Sequence, residues 1–287
     1  MVDLLEDLGV DVQMAHPWQV KAIAQAKIKT DKRDSKMLAY LLRADLIPAV
    51  YRREAVNRSW QRILRHRMAY VRMQTQIENR IRALLAQQKE AVREMVEMED
   101  RLFGVKGMKM LRELRLPGKD QEMLDALLLT YGHLERRIKE SDELVKEIYQ
   151  NDDQARLIST IPGFGKFLSV LVATEIADIE RFSSAGKLHS YAGVIPSTHA
   201  SGEKNYHGRL IHQGDKWLRW AVVEAVWPAV RADFDIRVLY QKLAARKPTN
   251  SAKIAVALRL LTIVYRVLKE KRSFIDYKRE ARRLPSA

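Results

Sequence analysis

From Val56 to Phe103 apolar residues recur at alternating three- and four-residue steps, through Trp60, Ile63, Tyr70, Ile77, Ile81, Leu84, Ala91, Met95, Met98 and Leu102. That period predicts one amphipathic helix, roughly 70 Å long at 1.5 Å per residue. Arg67, Gln74 and Gln88 interrupt the register. Leu116-Pro117-Gly118 breaks it. A second run then repeats it, with Leu124, Leu127, Tyr131, Leu134, Ile138, Val145 and Ile148. Two such helices joined by a short break predict an antiparallel, coiled-coil-like hairpin, suited to spacing or self-association. Its Met and Leu stripe reads as core. The flanking Arg62, Arg65, Arg72, Arg80 and Arg82 either touch phosphates or are ordinary flanks of the helix pair.

Ahead of the hairpin the pattern is shorter and mixed. Leu4 to Leu8 reads as the last turns of a helix with Gly9 as its stop. Val10 to Met14 alternates apolar and polar, as a strand does. Pro17 stands at the favoured first position of a helix from Trp18 to Ala26. A single strand cannot form a sheet, so this β-α piece belongs to a domain that looks incomplete. Thr30 is placed to cap the next helix, with Asp31 and Asp34 in its first turn.

Behind the hairpin, Asn151 to Gln154 makes a polar joint, and residues 155–287 predict a second, mostly helical unit. Leu157 to Lys166, with Ile161-Pro162-Gly163-Phe164-Gly165 at its centre and an apolar run from Phe167 to Ile176, has the shape of a helix-hairpin-helix. A short helix from Lys187 to Tyr191 leads into a polar loop that holds Ser201-Gly202. Trp217 to Arg231 predicts an apolar helix whose Trp217, Trp220 and Trp227 read as core. Lys253 to Lys271 predicts a last amphipathic helix before a basic tail. The expected architecture is therefore mainly α, divided as 1–50, 51–153 and 154–287.

Charge adds a partner to this outline. The chain has 287 residues and a formal net charge of +15, which suggests a polyanion, nucleic acid first. Lys27 to Arg72 holds 13 Lys/Arg against 4 Asp/Glu, and Lys242 to Arg283 holds 13 against 3. Between them, Lys89 to Asp153 holds 12 against 16. Two basic ends around a mildly acidic spacer predict two nucleic-acid-facing surfaces. The absence of cysteine excludes disulfides and thiolate metal sites. No apolar run reaches the ~18 residues of a membrane span, and a cytoplasmic setting is expected.

Three places carry candidate chemistry. Asp31 and Asp34, at i and i+3, share a helix face on which two carboxylates can hold Mg²⁺ and leave room for phosphate oxygens. Acids favoured by the helix dipole explain the same pair, but Lys29, Lys32 and Arg33 around it suit a phosphate-bearing substrate. Gly163, Gly165 and Lys166 stand where backbone N–H groups at a helix start bind phosphate, unless the turn only joins two packed helices. Ser201, a hydroxyl beside a glycine, has the form of a nucleophile for phosphate, with His199, Lys204, His207, Arg209, Lys216 and Arg219 as cations or surface residues nearby. Alone, Ser-Gly is a turn.

In order along the chain, Lys29-Thr30-Asp31-Lys32-Arg33-Asp34, Ile161-Pro-Gly-Phe-Gly, Tyr191-Ala-Gly-Val-Ile-Pro, Ser201-Gly202 and Gly214-Asp-Lys-Trp-Leu-Arg219 closely resemble the IS one-ten family of bacterial insertion-sequence transposases, including its IS eleven-eleven branch. The resemblance covers nearly the whole chain. It implies a RuvC-like (RNase H-like) N-terminal domain with Asp, Glu, Asp, Asp metal ligands, a helical coiled coil and a C-terminal domain with a nucleophilic serine. Asp31 and Asp34 match the last two acids, and Ser201 matches the serine. The family's first Asp and its Glu lie upstream of the strand at Val10, and Asp3, Glu6, Asp7 and Asp11 have the wrong context to replace them, so the sequence reads as a member lacking the start of its acidic domain.

What the resemblance implies is DNA cleavage and rejoining through Ser201 with Mg²⁺, guided by a bridge RNA, on double-stranded DNA, by a homodimer or homotetramer associated with the bacterial nucleoid. Two other functions fit the residues. One is a non-catalytic nucleic-acid-binding remnant, and the other is a metal-dependent resolvase-like nuclease with no covalent intermediate.

Overall fold

The architecture is drawn from a computed structural model, which describes residues 2–17, 19–20, 30–48, 50–97, 99, 101–201, 204–210 and 214–281. The molecule is mainly helical, as its apolar periodicity predicts. Among the described residues no helix is long and apolar enough to cross a membrane. The chain divides into two compact units, Met1–Ala55 and Val56–Ala287.

In the first unit, α1 (Val2–Asp7) ends where the glycine requires. Gly9 takes φ +78°, its N–H reaches Glu6 O at 2.8 Å, and Val10 N–H reaches Leu5 O at 3.0 Å. This paired closure caps the last carbonyls of α1. Arg52 binds both Asp3 and Glu6, so these two acids are ion-paired within the unit. The strand expected from Val10 to Met14 does not form. Only a bridge survives just beyond it, with His16 N–H to Pro48 O at 3.0 Å and Val50 N–H to Met14 O at 2.9 Å. Pro48 has no N–H to give, so the ladder cannot extend through it. Pro17, Gln19 and Val20 are helical, while Trp18 and 21–26 of the expected helix lie outside the described residues. The helix α2 (Asp31–Arg43) starts on Thr30, whose Oγ1 accepts from Arg33 N–H at 3.4 Å. Of its apolar residues only Leu41 is buried, and Met37, Leu38, Tyr40 and Leu42 are exposed.

The second unit opens with α3 (Ala55–Ala86), followed by α4 (Glu90–Glu97) and α5 (Val105–Glu113). The expected single helix to Phe103 therefore ends early. No Gly or Pro causes the stop. Gln88 is buried at a register position, and its Nε2 donates to Leu84 O at 3.3 Å and to Asp120 Oδ2 at 2.8 Å. The side chain thus caps the carbonyl end of α3 and ties it to the start of α6 (Lys119–Asn151). Beyond the break, Leu102, Met108, Leu111, Leu114 and Leu116 fold back onto Ile81, Leu84, Leu85, Leu124 and Tyr131 as a small core of their own. Gly118, at φ +57° and ψ −131°, makes the turn into α6.

Helices α3 and α6 run antiparallel. Gln88 meets Asp120 at one end, and Arg67 Nε donates to Asp142 Oδ1 at 2.6 Å towards the other. At that far end Leu64, Met68, Val145 and Ile148 join the main core, which the remaining helices build. These are α7 (Asp153–Ser159), α8 (Lys166–Ile176), α9 (Ala185–Ala192), α10 (Lys216–Ala232), α11 (Phe234–Ala244), α12 (Thr249–Lys269) and α13 (Phe274–Ala281). The central helix is α8. It is buried at every position from Ser169 to Ile176 and packs on α6, α7 and α10. A helix apolar on all sides is stable only when enclosed, and full burial of each Val, Leu or Ile stabilises by about 1.5–3 kcal/mol.

Two further expectations change here. The polar loop after α9 contains an antiparallel pair, β1 (Pro196–Ser201) and β2 (Lys204–Leu210), with an irregular register between Pro196 and Thr198. The basic tail begins with α13, which buries Phe274 and Tyr277 in the main core. Of the tryptophans, Trp217 is buried, Trp227 packs edge-on against Tyr240 with centroids 5.0 Å apart, and Trp220 is exposed.

Candidate functional site

The backbone around Ser201 is organised by its two flanking motifs. Ser184 caps the start of α9, and Gly193 ends it in the left-handed region at φ +66°. After the β-pair the chain returns to the same point. A Cβ on Gly214 would lie 2.3 Å from Gly193 N, so only glycine permits this backbone-on-backbone approach. Asp215 N–H donates to Tyr191 O at 2.7 Å, and Arg219 Nη1 donates to Gly193 O at 3.2 Å. The Asp215 carboxylate then caps α10, with Oδ1 accepting from Trp217 N–H at 2.9 Å and Leu218 N–H at 3.0 Å. Tyr191 OH reaches Oδ2 of the same carboxylate at 3.4 Å. The Tyr191-Ala-Gly and Gly214-Asp-Lys-Trp-Leu-Arg segments thus form one clamp at the root of β1–β2. Ser201 pairs with Lys204 at the end of that ladder furthest from the clamp.

Near the clamp, and further along α3, lie aromatic and charged contacts that periodicity alone does not reveal. The Arg181 guanidinium sits 4.4 Å from the Tyr191 ring centroid and 4.2 Å from that of Phe182. Arg65 and Arg72 of α3 lie over Trp217 at 5.5 and 5.2 Å. Arg65 Nη2 also donates to Glu175 Oε1 at 3.1 Å, and Gln61 Nε2 donates to Oε2 at 2.8 Å. Glu175 is fully buried on α8. Arg67 stacks on Phe167 at 4.4 Å and Arg82 on Phe103 at 5.1 Å. Of the two readings open for the hairpin arginines, Arg65, Arg72 and Arg82 therefore have places against aromatic side chains. The signal in the sequence was the spacing of Arg65 and Arg72, seven apart, which is two turns on one helix face.

His189, on α9, hydrogen-bonds Thr262 Oγ1 of α12 through Nε2 at 3.1 Å. Burial holds its pKa below the ordinary imidazole value. Thr262 Oγ1 donates to Leu258 O at 3.0 Å, which leaves it as acceptor for the His189 Nε2–H.

The expected site residues fall into groups. Asp31, Lys32, Arg33 and Asp34 stand together, exposed, at the start of α2, while Lys29 lies outside the described residues. Lys204 and Arg209 are on β2, but their side chains, like that of Ser201, lie outside the described residues. Lys216 is exposed at the first turn of α10, with Nζ 5.4 Å from the Trp217 ring. Arg219 serves the clamp. In the glycine turn, Gly165 and Lys166 are exposed at the start of α8, and a Cβ on Gly165 would meet open space. Gly163 differs. At φ +94° it packs against α10, where a Cβ would lie 2.3 Å from Ala225 O. Its glycine is required by helix packing.

Mg²⁺ prefers a near-octahedral shell of oxygen ligands. Asp31 and Asp34 offer two carboxylates, and no group of three or more His, Asp or Glu able to hold a metal occurs among the described residues. The described residues do not complete a site for the ion.

Comparison with known proteins extends the pattern of motifs. The family model described as "Transposase IS116/IS110/IS902 family" matches residues 155–241. A second model, of the DEDD transposase part of IS110 elements, matches residues 1–89. The chain is 22% identical to the transposase for insertion sequence element IS1111A of Coxiella burnetii, over 93% of this chain and 74% of that one. It is 28% identical to an insertion element IS116 uncharacterized protein of Streptomyces clavuligerus, over 49% of this chain and 36% of that one. It is 36% identical to the pilin gene-inverting protein of Moraxella bovis, over 42% of this chain and 38% of that one. The chain thus spans from about a third to three quarters of the length of these relatives. Two models of one family match residues 1–89 and 155–241, and two of the ordered motifs of the C-terminal unit meet at one clamp: the chain belongs to the IS110 family of insertion-sequence transposases.

Proposed function

We propose that this chain is a DNA transposase that cuts and rejoins strands through Ser201. The observation that carries the reading is the clamp, in which two separated motifs grip the root of the β-pair that ends in Ser201. A hydroxyl at the end of a short ladder fixed at its root can approach a duplex without unfolding the core beneath it. Ser201 Oγ attacks a phosphodiester phosphorus, a serine–phosphate bond forms and the bond to the leaving deoxyribose oxygen breaks. That oxygen takes the proton. Attack by a hydroxyl of another strand reverses the step and frees Ser201, so the bond energy is kept and no nucleotide cofactor is consumed. Basic residues at the DNA, Lys204 and Arg209 among them, neutralise the charge that develops on phosphorus.

In this reading residues 1–50 belong to an RNase H-like acidic domain, 51–153 space the two ends, and 154–287 carry strand exchange. Asp31 and Asp34 would supply two carboxylate ligands if Mg²⁺ binds there, and the ion would help neutralise charge on the phosphate. A guide RNA and a homo-oligomer complete the assembly. The two strongly basic stretches and the antiparallel helix pair support them.

The test is a denaturing gel of the protein incubated with labelled duplex that carries the element end. The unaltered chain is expected to give a covalent adduct, and Ser201→Ala to give none while still binding. Adduct in the Ser201→Ala protein removes the serine from the mechanism. Cleavage that survives Ser201→Ala but fails in Asp31→Asn and Asp34→Asn favours a resolvase-like metal nuclease. Binding without adduct in every protein favours a binding module.

A further inference from the structure

From Ile236 to Lys269 the sequence has eight Lys or Arg and no Asp or Glu. Four of the eight are occupied within the fold. Arg237 donates to Val230 O at 3.1 Å and Arg231 O at 2.6 Å. Arg259 reaches Tyr277 OH at 3.4 Å, and Arg266 lies 5.9 Å over the same ring. Lys269 pairs with Glu180. The other four, Lys242, Arg246, Lys247 and Lys253, fall within twelve residues at the corner where α11 turns into α12. Among the described residues none of their four side chains forms an ion pair, a hydrogen bond or a ring contact.

The corner is built to hold these cations outward. The end of α11 is closed by backbone bonds, with Ala245 N–H to Gln241 O at 3.1 Å and Lys247 N–H to Leu243 O at 3.0 Å. Pro248 then starts α12 without a side-chain cap. Residues 244–251 are all exposed, and Ala252 and Val256 anchor the turn from beneath. Four like charges in so short a span repel one another, and among the described residues no acid pairs with them. Such an arrangement costs stability in the free protein and is relieved by an external polyanion. The segment 242–253 contains no aromatic residue on which a base could stack. Single-stranded nucleic acid is gripped largely through such stacking, whereas a duplex offers its phosphates to cations alone.

We propose that the α11–α12 corner is a sequence-independent clamp on the phosphate backbone of double-stranded DNA, separate from the strand-exchange site. The proposal rests on the reading of DNA as substrate, but not on Ser201 chemistry. It assigns Lys242, Arg246, Lys247 and Lys253 to anchoring flanking duplex while the β-pair engages the strand to be cut.

The experiment measures equilibrium binding of the full chain to a random-sequence 30-base-pair duplex between ~50 and ~200 mM salt. Each phosphate contact contributes about 0.9 to the slope of log K against log salt. Replacing all four residues by Ala is expected to lower that slope by about 3–4 and to weaken binding equally for element-end and random duplexes. Thermal stability should be held or raised, because among the described residues the four side chains make no ion pair or hydrogen bond that the substitution would break. The charge-conserving Lys242→Arg, Arg246→Lys, Lys247→Arg and Lys253→Arg protein should keep the slope. An unchanged slope in the Ala protein overturns the proposal, as does a loss confined to RNA or to single-stranded DNA. Adduct formation at Ser201 is read in parallel. If no protein forms adduct yet the slope still drops, the corner stands and the serine reading falls.

Discussion

His189 shows how one half-buried side chain sets a pH limit on the fold. Its imidazole is wedged between α9 and α12 and donates to Thr262 Oγ1. Desolvation lowers its pKa, so the folded chain binds a proton there less readily than the unfolded chain does. The sign follows from linkage. Above the unfolded value, about 6.5 for histidine, both states are neutral at this position and the full contribution is present. As pH falls below that value the unfolded chain protonates first, and stability is lost until the folded pKa is passed. Melting temperature should therefore drop as pH falls below about 6.5, and His189→Gln should drop less over the same range. Equal drops in the two proteins would place the pH dependence elsewhere. The residue scale is also where sequence reading met its firmest limit. Gly163 fits a phosphate-binding turn as well as a packing turn, and only the approach of Ala225 O decides for packing. Gly214 gave no sign of its contact with Gly193, since the two lie far apart in the chain and nothing local records a meeting of backbones.

At the scale of elements, legibility followed the apolar register. The α3–α6 pair was readable because its buried positions keep a helical period through Ile81, Leu84, Leu124 and Tyr131. The end of α3 was not, because a buried Gln88 capping its own helix resembles any polar interruption of a stripe. The β-pair was hidden because Pro196 to Ser201 and Lys204 to Leu210 are mostly polar or small and alternate weakly. Their one signal was a two-residue separation beginning with glycine. The helix α13 looked like a charged tail, though Phe274 and Tyr277, three apart, already marked a buried face. Between elements, the junction of α3 and α8 gives an asymmetric prediction. Glu175 is fully buried, whereas the Arg65 side chain is 39% exposed. Arg65→Ala removes the cation and leaves a carboxylate in the core, a change that costs about 3–5 kcal/mol when a buried pair is broken. Glu175→Gln keeps the shape and returns Arg65 to partial solvation, at about 1.5–3 kcal/mol, the range of one hydrogen bond to a charged group. Urea unfolding should rank Arg65→Ala as the more damaging. The reverse order would mean that the arginine needs the acid more than the acid needs the arginine.

Across the whole molecule, apolar burial is distributed unevenly. Both buried clusters are drawn wholly from residues after 55, from Leu64 to Tyr277 in the larger and Ile81 to Tyr131 in the smaller. Within 1–55 the only buried hydrophobic residue described is Leu41, and large apolar side chains such as Leu4, Leu8, Tyr40 and Leu46 are more than half exposed. The described part of this unit, with Leu41 alone buried, offers little to offset the roughly 1–2 kcal/mol of backbone entropy lost per ordered residue. The enclosed α8 and the helices around it offer a great deal. Residues 56–287 expressed alone should therefore unfold in one cooperative transition, with near-ultraviolet and far-ultraviolet circular dichroism changing together. Residues 1–55 alone should show a broad, non-cooperative loss of helix. In the intact chain, limited proteolysis should cut first within 1–55 and leave a resistant fragment that begins near α3. A non-cooperative 56–287 fragment would mean that the core between α3 and α13 depends on the first unit for its order. The clusters would then describe packing without describing what stabilises it.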